Sequence, residues 1–135
     1  MGRTVNEINK ELYEFQKFVE GLDGMDVKDI TILSEALLSI SAKLARSANL
    51  VADATMLSAE AKKNAYADYT QMAQSQGLKF SPSIVKDFVA TRCGEEMRCL
   101  EYADRMNAAL THCLEALRSC LSSAKEEWKT LKFQT

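Results

Sequence analysis

The sequence is poor in the residues that stop or staple a chain. One proline and five glycines in 135 residues leave few points at which a helix must end. A single histidine, His112, rules out a two-histidine metal site within one chain. Its neighbour Cys113 diverges from it by about 100° on a helix, so the two cannot form a nucleophile–base pair. There is no glycine-rich phosphate loop, no nucleophile elbow and no Cys-x-x-Cys pair. The expectation is therefore a protein without enzymatic activity, cofactor or metal.

Other absences bear on compartment and partners. Cys93, Cys99, Cys113 and Cys120 fall on one predicted helix, where Cys99 and Cys113 cannot meet. They read as reduced thiols packed like small hydrophobes, as in a cytoplasmic protein, and not as a disulfide framework. No apolar run approaches the roughly 20 residues of a membrane span, and no apolar stretch follows the N-terminal residues 1–5, so neither a membrane nor export is expected. A net charge of −2 disfavours nucleic acid as a general partner, because that requires a broad basic surface.

Hydrophobic residues at 47% and charged ones at 27% describe a chain able to bury one core, and the length suits one domain over residues 1–135. Apolar spacing predicts three helices, at about 4–22, 27–76 and 82–131. Thr4 with Glu7 forms a capping box that starts the first. Val5, Ile8, Leu12, Phe15, Val19 and Leu22 then make its stripe, which Tyr13 and Phe18 widen. Asp26 is the expected N-cap of the second helix and Gly77 its stop. Ser81-Pro82 starts the third, with proline at the first helical position. The short connection between the two long helices makes them an antiparallel hairpin.

The third helix carries an extended seam. Val89, Cys93, Leu100, Ala103, Leu110, Leu114, Leu117, Leu121, Ala124, Trp128 and Leu131 alternate by steps of three and four, with polar Glu96 and Asn107 in the same register. The second helix has a matching stripe, leucine-rich in its first half and rich in alanine and serine in its second. The first helix is too short to cover this hairpin. The fold class expected is all-α, a short helix plus a long hairpin that assembles as a homo-oligomeric helical bundle. Asn107, Leu110, Leu114, Leu117, Leu121 and Trp128 are the candidate oligomer seam, with Asn107 fixing its register.

The candidate binding residues lie beside that seam. Arg98, Arg105 and His112 recur every seven residues and form one row. Its simplest reading is a solvated face. Its functional reading is an anion pocket completed by neighbouring chains, because guanidinium groups bind phosphate in a fork and stay charged. Arg92 projects nearer the apolar side and needs a helix end wide enough for its guanidinium to snorkel, a carboxylate such as Glu95 or Glu96, or a pocket between chains. Tyr66, Tyr69 and Tyr102 can fill an interface or stack on a base; Tyr102 is the one placed with the arginines.

Residues 98–125 (RCLEYADRMNAALTHCLEALRSCLSSAK) resemble the C-terminal helix of small helical accessory proteins carried by phages and prophages, through Ala-Asp-Arg-Met-Asn, Thr-His and Ala-Leu-Arg-Ser. The resemblance implies a bacterial host cytoplasm and an accessory protein with no assigned chemistry, so it carries over no catalytic residue. Some small phage proteins of this kind sequester nucleotides made in bacterial immunity. By that analogy the chain is expected to bind an anionic nucleotide-like molecule through Arg92, Arg98, Arg105, His112 and Tyr102. Two alternatives stand beside this: an adaptor binding another protein through its helical surface, and an accessory factor for nucleic acid.

Overall fold

The computed structural model describes residues 2–77 and 81–134, the last of these by backbone alone. Four helices and no strand occur among the described residues: α1 (Val5–Gly21), α2 (Ile30–Gln76), α3 (Pro82–Arg92) and α4 (Gly94–Gln134). The all-helical expectation holds, but the single helix expected over 82–131 is two.

Local chemistry explains each end. Thr4 caps α1, its Oγ1 accepting from Glu7 N at 3.2 Å. Asp29 caps α2, taking Thr31 N at 3.0 Å and Ile32 N at 3.2 Å on one oxygen. The expected cap, Asp26, instead accepts from Lys28 N at 3.0 Å. This small turn uses the side chain before the helix begins, so α2 starts three residues later than its sequence pattern suggested. Gly77 ends α2 in the left-handed region at φ 67°, its N–H returning to Ala73 O, a conformation that costs glycine little. Pro82 opens α3 as expected. The connecting residues 78–80 lie outside the described residues.

The break at Cys93 is the main departure from expectation. Cys93 has φ −104° and ψ 15°, while its N–H donates to Val89 O and its carbonyl accepts from Met97 N, both at 2.9 Å. The regular helix is thus interrupted at this one residue without loss of its hydrogen bonds. Gly94 has poor helix propensity. Arg92 lies in the last turn of α3 and Glu95 and Glu96 in the first turn of α4, each charge suiting the dipole of its own helix end.

Side-chain pairs fix the helix directions. Arg92 reaches Asp68, and Asn107 reaches Ser47, so residue numbers fall along α2 as they rise from α3 into α4. The long helices are antiparallel. Arg3 bonds Asp53 at 2.6 Å, and Arg46 grips Glu11 with two bonds of 2.5 and 3.1 Å, which sets α1 antiparallel to α2. The Glu11 contact raises the Arg46 pKa, as does the nearby charge of Asp53, against the opposing effect of burial. Both ion pairs are about two-thirds buried, and the forked Arg46–Glu11 pair also fixes orientation.

Two apolar cores result. The larger joins Ile8, Leu12 and Phe15 of α1 to Leu33, Ile40 and Leu50 of α2 and to Cys99, Ala103, Met106, Leu110, Leu114 and Leu117 of α4. The smaller lies across the break, where Val85, Val89 and Cys93 pack on Ala65 and Tyr69. There Tyr69 meets Phe88 edge-on with centroids 5.3 Å apart. Tyr13, expected to widen the α1 stripe, is instead half exposed, beneath the Lys17 ammonium at 5.0 Å.

Candidate functional site

The break at Cys93 and the start of α1 lie at the same level of the bundle, and a groove opens on either side of Val5. One groove, about 330 Å³, lies between α2 and the break and is lined by Glu60, Asn64, Asp68, Arg92 and Glu96. The other, about 430 Å³, lies between α1 and α4 and is lined by Asn6, Asn9, Glu95, Arg98, Cys99 and Tyr102. Among the described residues, Asn9 Oδ1 and Glu96 Oε2 are buried without a hydrogen-bond partner. One belongs to each groove. A buried unpaired polar atom has given up water with nothing in return, so each groove has unmet capacity for a donor.

The five residues expected to bind ligand are not gathered in one place. Arg98 and Tyr102 share the second groove. The Arg98 guanidinium folds back over Gly94, where a Cβ would stand only 3.3 Å from Nη1. The missing side chain of Gly94 is what admits it. Tyr102 donates to Gln16 Oε1 at 2.5 Å, and burial, with the charges of Tyr13 and Glu20 adding to it, pushes its hydroxyl pKa up. It stands there as a neutral phenol.

Arg92 belongs to the first groove. Its partner is Asp68 on α2 at 3.4 Å, in place of the Glu95 or Glu96 expected from sequence, and its guanidinium lies 4.9 Å from the centre of the Phe88 ring. Glu60, Asp68 and Glu96 give this groove three carboxylates against that one cation. Arg105 and His112 lie further along α4 with side chains about four-fifths exposed. Arg105 faces Glu101 at 3.7 Å, and His112 faces Glu115 at 4.0 Å. Such exposed pairs contribute little stability.

The proposed seam residues lie mostly inside the chain. Leu110, Leu114 and Leu117 are buried in the main core, and Leu121 is partly buried against it. Asn107 donates its Nδ2 hydrogen to Ser47 Oγ at 3.1 Å, so its register-fixing bond here joins α4 to α2 of the same chain. Trp128 is 57% exposed. Cys99 and Met106, both buried, were outside the sequence seam, because α1 widens the face that α4 must cover. Burial, aided by the charge of Glu96, raises the thiol pKa of Cys93 and Cys99, which keeps both protonated and unreactive.

Among the described residues no cluster of three or more His, Cys, Asp or Glu side chains could hold a metal ion, and no helix is long and apolar enough to cross a membrane. Comparison with family models, curated proteins and solved structures finds no match for this chain.

Proposed function

We propose that this chain is a non-enzymatic adaptor that engages an apolar, helix-like segment of another protein through the far end of α4. The observation that carries this reading is the exposure of Trp128 (57%), Leu131 (63%) and Phe133 (87%) on the last turns of that helix. Trp128 and Leu131 continue the spacing of Leu117, Leu121 and Ala124, so the same apolar seam runs from the core onto the surface. Val27, itself half exposed, borders a groove of about 240 Å³ with Cys120, Ser123 and Ala124. Exposed aromatic side chains such as Trp128 and Phe133 are the usual anchors of a protein interface. A photo-crosslinking amino acid placed at position 128 in expressing cells should give one discrete heavier adduct, while the same group at exposed Ser122 should give none. Equal labelling at both positions, or no adduct at 128, would overturn this reading.

A second reading rests on the Arg98–Tyr102 groove. An anionic nucleotide-like molecule would find a forked cation in Arg98, an aromatic wall in Tyr102 and an unsatisfied acceptor in Asn9 for a base or sugar donor. The resemblance to phage accessory proteins suggests nucleotide immune signals as the ligand class to try. A cyclic di- or oligonucleotide should raise the melting temperature, and Arg98→Ala should abolish that rise. Arg105→Ala, which alters a residue directed to solvent, should leave it. Absence of any shift across the panel removes this reading.

A further inference from the structure

The outward side of α2 differs from an ordinary solvated helix face. Surface positions of a small domain are usually about a quarter to a third charged. Along the strip that α2 turns away from α4, the exposed positions from residue 31 to 59 are alanine, serine, threonine, asparagine, leucine and methionine, with no charge among them. Glu35 and Glu60 stand about a quarter turn away, along one margin. The strip also holds Leu38 at 76% exposure and Met56 at 72%, and beyond residue 59 it continues to Tyr66 at 49%. Two of its hydroxyls are already satisfied: Ser41 donates to Leu37 O at 2.8 Å and Thr55 to Val51 O at 2.7 Å. Covering them loses little hydrogen bonding to water.

We infer that this strip is a homodimer surface, covered by α2 of a second copy running antiparallel about a two-fold axis through Ala52. The residues are self-complementary in that register. Leu38 lies fourteen residues before Ala52 and Tyr66 fourteen after it, so each large apolar side chain meets the other. Ala45 and Ala59, seven residues either side, face one another, and Met56 lies over Ala48, a large side chain against a small one. A parallel pairing instead stacks Met56 on Met56 and Lys63 on Lys63, whereas the antiparallel one sets Lys62 and Lys63 opposite Ala42 and Ser41. Opposed helix dipoles favour the same direction.

The helix already accepts a neighbour on this composition. Its inward face, where Ser47, Ala54, Ser58 and Ala65 are buried, is lined by the same small residues in close contact with α4 and α3. Area is sufficient. From residue 31 to 70 the strip is about 60 Å long and about 10 Å wide. It therefore covers about 600 Å² per chain and about 1,200 Å² in the pair, the lower bound of specific interfaces.

Sedimentation equilibrium from low to high micromolar concentration tests this. The wild type should move from monomer to dimer, and Ala52→Glu, which sets a carboxylate against its own copy, should weaken dimerisation at least tenfold while helical circular dichroism is unchanged. Ala52→Cys, in a background with Cys113 and Cys120 replaced by serine, should oxidise to a covalent dimer. Trp128→Ala should dimerise like the wild type. A wild type that stays monomeric throughout, a dimer indifferent to Ala52→Glu, or one lost on Trp128→Ala would each overturn the inference, the last by moving the association to the end of α4.

Discussion

The two cores on either side of Cys93 are built to different standards. Between about residues 94 and 120, α4 meets both α1 and α2, and three helices close around Leu12, Leu50 and Leu110, none of which retains any exposure. Across the break, among the described residues, α3 rests mainly on α2, with Met97 of α4 at the edge, and its core is five side chains deep at Ala65, Tyr69, Val85, Val89 and Cys93. Length does not explain the contrast, since α2 spans both regions. The third helix does. A helix covered on two sides buries a wide arc of its surface, whereas one packed on a single neighbour buries a narrow stripe and leaves its other backbone bonds to water. The three-helix region should carry the global stability and the α3 end should open first.

The sharpest test of this contrast is truncation in the larger core. Leu110→Ala should cost about 2–5 kcal/mol and lower the urea midpoint of the whole chain, α3 included. Truncation of Val89 should cost about 1–2 kcal/mol, the worth of the two carbons removed, and should act locally. Hydrogen exchange would then quicken in α3 and the end of α2 while the amides around Leu110 keep their rates. Uniform acceleration in Val89→Ala would mean that the two cores open as one unit.

The polar link between the long helices gives an effect of about 1–3 kcal/mol. Asn107→Ala leaves the hydroxyl of Ser47, which has no exposure, without its partner, and a buried unsatisfied group loses its full desolvation cost. Removing both partners, Ser47→Ala together with Asn107→Ala, should destabilise less than the two single changes added, a coupling measurable by a double-mutant cycle.

The buried thiols probe the boundary between the cores. Cys93 and Cys99 hold pKa values above that of an ordinary thiol, through burial first and the Glu96 charge second. Below about pH 9 the folded and unfolded chains both keep these protons, and the stability is fully present. As pH rises above that value the unfolded chain releases them first, so stability falls until the folded thiols titrate as well. Melting temperatures should decline above about pH 9 more steeply in the wild type than in Cys93→Ala. A thiol reagent at neutral pH should modify the partly exposed Cys113 and Cys120 well before Cys93 and Cys99.

Much of this architecture is legible in the sequence because periodicity is a local property. Ile8, Leu12 and Phe15, or Leu33, Ile40 and Ser47, declare an inward face by spacing alone. The break at Cys93 does not emerge from spacing although Gly94, Arg92, Glu95 and Glu96 are all visible, because the heptad register runs on through 89–100 with only Glu96 polar in it. Recruitment of Cys99 and Met106 to the core is not legible, since it depends on where α1 lies, and that is set by the long-range pairs Arg3–Asp53 and Glu11–Arg46. For the site, Arg98, Arg105 and His112 do recur every seven residues, but recurrence along a helix does not say what stands opposite. Of the three, Arg98 is level with the start of α1 and lines a groove there, while Arg105 and His112 stand largely in solvent.

Gly94 is where the two regions can be altered with the smallest change. It has no positive φ, and the nearest atoms to an added Cβ belong to the flexible end of Arg98, at 3.3 Å. Alanine there restricts the unfolded chain and favours helix, a gain of about 0.4–1 kcal/mol, set against moving a guanidinium that is free to swing outward. Gly94→Ala should therefore raise the melting temperature slightly and slow hydrogen exchange across residues 89–98, drawing α3 and α4 into one cooperative unit. It should also expel Arg98 from the groove beside Asn9, so any nucleotide-dependent thermal shift should shrink as stability rises. If stability falls instead, the Arg98 side chain is held over Gly94 too firmly to yield, and the break depends on that contact as well as on glycine's low helix propensity.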